Sequence, residues 1–283
     1  MTLARLARPP KSAAGAGGMV LLGALFVQYS AALVAPIFVV VGAAATSAWR
    51  FSVGALVLLA LARPRVWRWT RRQWIGAFAL GISTAFMNLC FFQAIDRINL
   101  GTAVAIEYLG PFLVAALGKR SFRHVVFVLV AALGVLALAR PGGDVSVTGL
   151  AFAALAGVGW AGYAFASYYV GDETPGFDGL AMAMTIAAVI TLPFLPASIV
   201  PMFDHGLVPR MVIASVAAVV LGFGAEMQAL RRLPPSIVGV LLALDPAVAF
   251  AVGFLVLGQP ILGWDIVGTG LVIISGIAVT RDA

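Results

Sequence analysis

Arg50, Glu107, Glu226 and Asp245 all lie within long apolar runs of this 283-residue chain. Glu107 is the only charged side chain in "LGTAVAIEYLGPFLVAALG" (100 to 118), and Gly110-Pro111 follows it within one helical turn. Ionisable groups in hydrocarbon are costly and normally face a cavity or a partner, so each is a functional candidate by default. Glu107 falls near mid-depth of its run, where an unpaired anion is most expensive and where a proton could bind and leave. The structural alternative is a Glu that keeps its proton and bonds a neighbouring backbone carbonyl. Asp245 stands immediately before Pro246. Proline removes a backbone donor and loosens the helix, which frees carbonyls for a cation or an amine if they line a cavity; a simple kink is the competing reading. Arg50, in "TSAWRFSVG", could hold a substrate carboxylate or pair with an acid, or it could snorkel to the interface. Glu226, Asp245 and Glu107 form the candidate proton-coupling set. Asp265, beside Trp264, reads as an outer-interface residue.

Among uncharged groups, Gln28, Ser30, Asn88, Gln93, Tyr108, Trp160 and Gln228 complete the candidate substrate-binding set around Arg50. Polar side chains of this kind also bond between helices, and small residues such as Ala153, Gly157 and Ala161 allow close helix packing. The sequence carries no P-loop, GxSxG, HExxH or Cys/His cluster, and Cys90 is alone, so neither a cofactor nor an enzyme activity is expected. His124 and His205 are isolated and read as solvated loop residues.

Elements that could position these groups follow from composition. With 62% hydrophobic and 10% charged residues, the chain departs from soluble domains, in which about a quarter of residues are charged. It reads as an all-α integral membrane protein, because a span of the hydrocarbon core takes about 20 helical residues and barrel alternation is absent. Hydropathy and loop punctuation place ten spans near 18–35, 42–62, 74–95, 99–118, 123–139, 147–170, 179–200, 208–230, 235–256 and 262–280. The first run is longer than a signal-peptide core and is expected to be retained.

If the N-terminus is cytoplasmic, inside segments hold Arg5, Arg8, Lys11, Arg63, Arg65, Arg68, Arg71, Arg72, Lys119, Arg120, Arg123, Arg231, Arg232 and Arg281. Only Arg97, Arg140 and Arg210 fall outside, so the positive-inside rule favours cytoplasmic termini. The charge of +7 is therefore read as loop anchoring, with no nucleic-acid partner expected.

An internal repeat organises the spans. Residues 93–118, "QAIDRINLGTAVAIEYLGPFLVAALG", align without gaps to 228–253, "QALRRLPPSIVGVLLALDPAVAFAVG", at a constant offset of 135. The offset matches Gln93 with Gln228, Arg97 with Arg232, Pro111 with Pro246 and Gly118 with Gly253. The unit is five helices, and an odd number inserts the second copy upside down, as in secondary transporters. The expected organisation is a tail over 1–17, a first five-helix repeat over 18–140 and an inverted one over 147–281.

"GTAVAIEYLGP", "RLPPSIVGVLLALDPAVAFAVGFLVLGQ", "AWRFSVGALVLLAL" and "GWAGYAF" resemble the EamA-type branch of the drug/metabolite transporter superfamily over nearly the whole chain. Within that branch the chain is similar to the threonine/homoserine exporter group. The resemblance implies proton-coupled export of small amino acids or related metabolites across a bacterial inner membrane. Protons, a small-molecule substrate and the bilayer are the expected partners, with a homodimer allowed. It also places acids at Glu107, Glu226 and Asp245 and an Arg at Arg50. Gln259 departs from the Glu that many members carry there. The superfamily moves varied cargo, so drug or other metabolite efflux is the alternative, and a non-transporting scaffold or receptor is a more distant one.

Overall fold

The computed structural model of the chain describes residues 13–118, 122–139, 145–174, 176–230 and 235–282. Most of the expected tail and the basic positions Lys119, Arg120, Arg140, Arg231 and Arg232 lie outside the described residues. The described residues are helical throughout, joined by short turns.

Helix α1 spans Ala13–Val34 and continues through short turns to Gly42. At φ 82° Gly42 adopts a backbone conformation that a β-carbon disfavours, and it reverses the chain into α2, Ala43–Ala62. Helix α3, Arg71–Ile95, opens on a capping box in which Thr70 and Gln73 satisfy each other's backbone N–H. The next run divides into α4, Leu100–Glu107, and α5, Leu109–Gly118, with the break at Tyr108. Helix α6 covers Phe122–Ala139, α7 covers Val147–Glu173 and α8 covers Asp178–Thr191. Pro193, Pro196 and Pro201 then bend the chain by 73° into the short α9, Ile199–Asp204, where the hydropathy pattern predicts one continuous span. Helix α10, Val208–Ser215, runs through a π-helical stretch, Val216–Gly222, into α11, Phe223–Leu230. Helix α12, Pro235–Leu242, is separated from α13, Asp245–Leu257, by a break at Ala243 and Leu244, and α14 covers Gly263–Asp282.

Among the described residues six helical segments are long and apolar enough to cross a membrane, and the bent Asp178–Asp204 segment makes a seventh if it is one span. Leu100–Leu113, Val125–Ala139 and Gly263–Val279 are shorter apolar helices.

Helix α3 packs on α7 and α8, α2 on α8, and α6 on α14. Helix α1 packs on the π stretch, α11 and α13, while α4 packs on α7 and α13. Two apolar cores result. One gathers Ile37, Phe38, Phe92, Leu100 and Met202 at the end of the bundle near Gly42. The other runs from mid-bundle toward the Arg63 end through Phe51, Leu58, Leu80, Tyr163 and Phe223.

Candidate functional site

Arg50 lies seven residues from the start of α2, Glu107 seven from the start of α4 and Asn88 seven from the end of α3, all counted from the Gly42 end. At 1.5 Å per residue this sets all three about 10 Å below that end of the helices. The level is fixed by the crossing beneath it. Gly110 meets the backbone of Gly157 so closely that a β-carbon on Gly110 would run into the Gly157 carbonyl group. The Glu107 carbonyl lies against Gly157 as well. Ala153 is fully buried beside this crossing, in keeping with close packing of small residues on α7.

Arg50, Glu107, Asn88, Gln28, Asp245 and Glu226 line one cavity of about 50 Å³, room for a few waters. Its remaining wall is apolar and aromatic and includes Phe91, Trp160 and Phe223. From the Arg50 level it extends between α1, α7, α11 and α12 past Tyr163 to Glu226, Val20 and Leu242.

Arg50 is 1% exposed and does not reach either interface. Among the described residues none of its three guanidinium nitrogens meets a hydrogen-bond partner. Its nearest compensation is the Phe92 ring, whose centroid is 5.2 Å from the guanidinium carbon, together with the electrostatic attraction of Glu107. Glu107 also feels the charges of Asp245 and Glu226. No hydrogen bond to its carboxylate occurs among the described residues, so the carbonyl-bonded alternative finds no support here. Asp245 accepts from Gln28 Nε2 at 3.1 Å, which ties α1 to the start of α13. One oxygen of that carboxylate, the Gln28 Oε1 and the Asn88 Oδ1 are buried without partners. At the far side of the cavity Tyr163 donates to Glu226 at 3.4 Å.

These unmet atoms define a chemistry. Buried polar groups are normally paired, and leaving one unpaired costs more than a typical hydrogen bond returns. Here a donor fork and several acceptors converge on one space, an arrangement complementary to a ligand bearing both an anionic group and N–H or O–H donors.

The remaining sequence candidates are placed elsewhere. Ser30 donates to the Ala214 carbonyl at 2.7 Å and joins α1 to α10. Gln93 accepts from Arg97 at 2.7 Å at the exposed end of α3. Tyr108 is buried with its ring edge-on to Trp160, centroids 5.9 Å apart, and with Gly276 against it; Gln228 is buried, and neither lines the cavity. Asp265, expected at the outer interface, is 1% exposed and accepts from Leu262 N at 2.9 Å, so it caps the start of α14. Sequence reasoning did not single out Tyr163 as a site residue; its one signal was its place a turn after Trp160 in "GWAGYAF". Gln259 accepts from Leu100 N at 3.0 Å and satisfies the first orphan donor of α4, a task a Glu would also perform. Together with Trp49 Nε1 donating to Ser198 Oγ at 3.0 Å, this contact clasps the Gly42 end.

A protein-family profile described as the EamA-like transporter family matches residues 147–281. The chain is 32% identical over 258 residues to the threonine/homoserine exporter RhtA of Escherichia coli K12, covering 90% of this chain and 87% of that protein. The RhtA of Salmonella typhimurium SL1344 gives the same figures. A solved crystal structure matches with a TM-score of 0.59 over 94% of this chain and 97% of that chain at 19% identity, a likeness of fold alone.

Proposed function

The chain belongs to the EamA-like transporter family, and on that premise we propose that it is a secondary exporter of small zwitterionic amino acids, driven by proton antiport. The observation that carries this reading is the convergence of Arg50, Glu107 and Asp245, three buried ionisable groups, on one cavity whose orphan donors and acceptors suit an α-amino acid. Arg50 takes the carboxylate. Asp245, with the free oxygens of Gln28 and Asn88, takes the ammonium. Glu107 exchanges its proton as the substrate enters or leaves, assisted by Asp245 or Glu226. Coupling arises because proton and substrate bind unequally in the two facing states; equal affinities would move nothing.

Alternating access rests on a ten-span, inverted-repeat architecture. This reading is supported by six or seven segments long enough to cross a membrane and three shorter apolar helices among the described residues, and by the α4/α5 break at Tyr108 having a counterpart at Ala243, 135 residues on. Helix pairings also exchange under that relation. The packing of α3 on α7 corresponds to that of the α10–α11 span on α1, and α4–α5 on α7 corresponds to α12–α13 on α1. The pairs α2 with α8, α4 with α13 and α6 with α14 correspond to themselves, as an axis through the centre requires. Orientation follows the basic residues, with both termini and the Arg63 end in the cytoplasm of a bacterial inner membrane.

A second reading, export of other metabolites carrying a flat apolar group, draws on Phe91, Trp160 and Phe223 in the cavity wall. Efflux from proteoliposomes preloaded with threonine, homoserine or an aromatic metabolite separates the two. Acidifying the outside should drive threonine or homoserine out, and Glu107→Gln should abolish that drive. Undiminished pH-driven efflux in Glu107→Gln would remove Glu107 from the proton path.

A further inference from the structure

The linker from α2 to α3 reads "RPRVWRWTRR" (63–72) and places five arginines and two tryptophans in ten residues. Arg63, the cap of α2, sits in the left-handed region at φ 50°, the one non-glycine residue with positive φ among those described. That conformation is disfavoured by a β-carbon. It turns the chain sharply into Pro64, Arg65 and a short 3-10 segment, Val66–Arg68, rather than releasing it into solvent. The result is a cleft of about 700 Å³ whose charged lining is Arg63, Arg65, Arg68 and a single carboxylate, Asp178. Arg63 Nε bonds the Ala60 carbonyl, whereas the exposed side chains of Arg65 and Arg68 have no hydrogen-bond or ion-pair partner among the described residues. Trp67 is 77% exposed in the same cleft, and Trp69 packs edge-on against Trp74 at 5.4 Å.

The end of α2 and the starts of α3 and α8 frame this cleft. These are the ends of candidate spans, so the cleft lies at interface depth whichever way the chain inserts. A bare indole at that depth fits the boundary between headgroups and acyl chains. Unpaired guanidinium forks facing one carboxylate leave an excess of positive charge that matches phosphate oxygens. Topological anchoring accounts for the number of arginines but not for a pre-shaped cleft with an uncovered tryptophan beside it.

We propose that this cleft binds the phosphate headgroup of an anionic phospholipid, with Arg65 and Arg68 on the phosphate oxygens and Trp67 against the glycerol and upper acyl chain. The inference is independent of the cargo and of the coupling ion.

Native mass spectrometry of the full chain in neutral detergent tests it, with phosphatidylglycerol, phosphatidylcholine and inorganic phosphate offered separately. Phosphatidylglycerol should be retained where phosphatidylcholine is stripped, and Arg65→Gln/Arg68→Gln should weaken that retention roughly 30-fold, at roughly fivefold per arginine. Arg65→Lys/Arg68→Lys should recover part of it, since the charge stays and the fork is lost. Melting in neutral detergent checks the fold; should the double variant fail to fold, Arg68→Gln alone should show its fivefold loss. Equal retention of both lipids, or retention unchanged in the variants, would overturn the proposal. Inorganic phosphate binding as tightly as phosphatidylglycerol would also overturn it, by assigning the cleft to a soluble anion.

Discussion

The two helix breaks, at Tyr108 and at Ala243–Leu244, lie 135 residues apart, the offset at which their two sequence stretches align, yet they hold their acids differently. Glu107 is the last residue before the first break, and no hydrogen bond meets its carboxylate among the described residues. Asp245 is the first residue after the second, at the start of α13, where a helix favours negative charge, and Gln28 bonds it. Arg50 has no cationic counterpart in α8, the helix that packs on α2, since Asp178–Thr191 carries no Lys or Arg. In the proposed repeat the two helix breaks correspond, while the ionisable groups beside them differ. Under the proposed function that asymmetry divides the labour, with a proton at the unpartnered acid and an ammonium at the partnered one.

The strongest way to break this comparison is to neutralise each acid in turn. Glu107→Gln should lose pH-driven efflux while still exchanging labelled substrate across the membrane, whereas Asp245→Asn should lose both. Identical defects in counterflow and pH-driven assays would erase the division. Next in size is Arg50→Met. Substrate binding should weaken about 100-fold because the carboxylate loses a buried charged partner. The melting temperature should rise, because the free protein no longer buries an unpaired guanidinium. A melting point that falls instead would mean that Arg50 is held by more than Phe92 and Glu107. Gly110→Ala sharpens the first break by a different route, costing about 3 kcal/mol of stability through the clash with Gly157. Gln28→Leu should weaken substrate binding about tenfold, the worth of a hydrogen bond to a charged group, and leave the exchange of substrate for protons in place. The smallest effect belongs to Gln259→Ala, about 1 kcal/mol from the lost cap on α4, with Gln259→Glu restoring it.

Hydropathy made the helices legible, because each stretch of about 20 apolar residues has one physical solution in lipid. Breaks inside them were less visible. Pro111 and Pro246 signalled the neighbourhood, but the interruption falls three residues before each, at Tyr108 and Ala243, since proline removes a bond to the preceding turn. The π stretch Val216–Gly222 had no signal, because its residues are as apolar as an α-helix's. The site was legible where burial makes a group expensive, as at Arg50 and Glu107. Ser30 and Gln93 looked equally polar in sequence, yet local and inter-helical bonds occupy them. Only packing decides which polar residues face the cavity, and one sequence does not print it.

The crossing of Gly110 over Gly157 has an evolutionary consequence. Cavity-lining positions such as Asn88 or Gln28 can take other side chains, because a cavity tolerates new shapes. At 110 no substitution is that cheap, since any added carbon meets the backbone of the facing helix rather than a side chain that can turn aside. Diversification of this transporter is therefore constrained at Gly110, one helical turn from the buried Glu107 carboxylate.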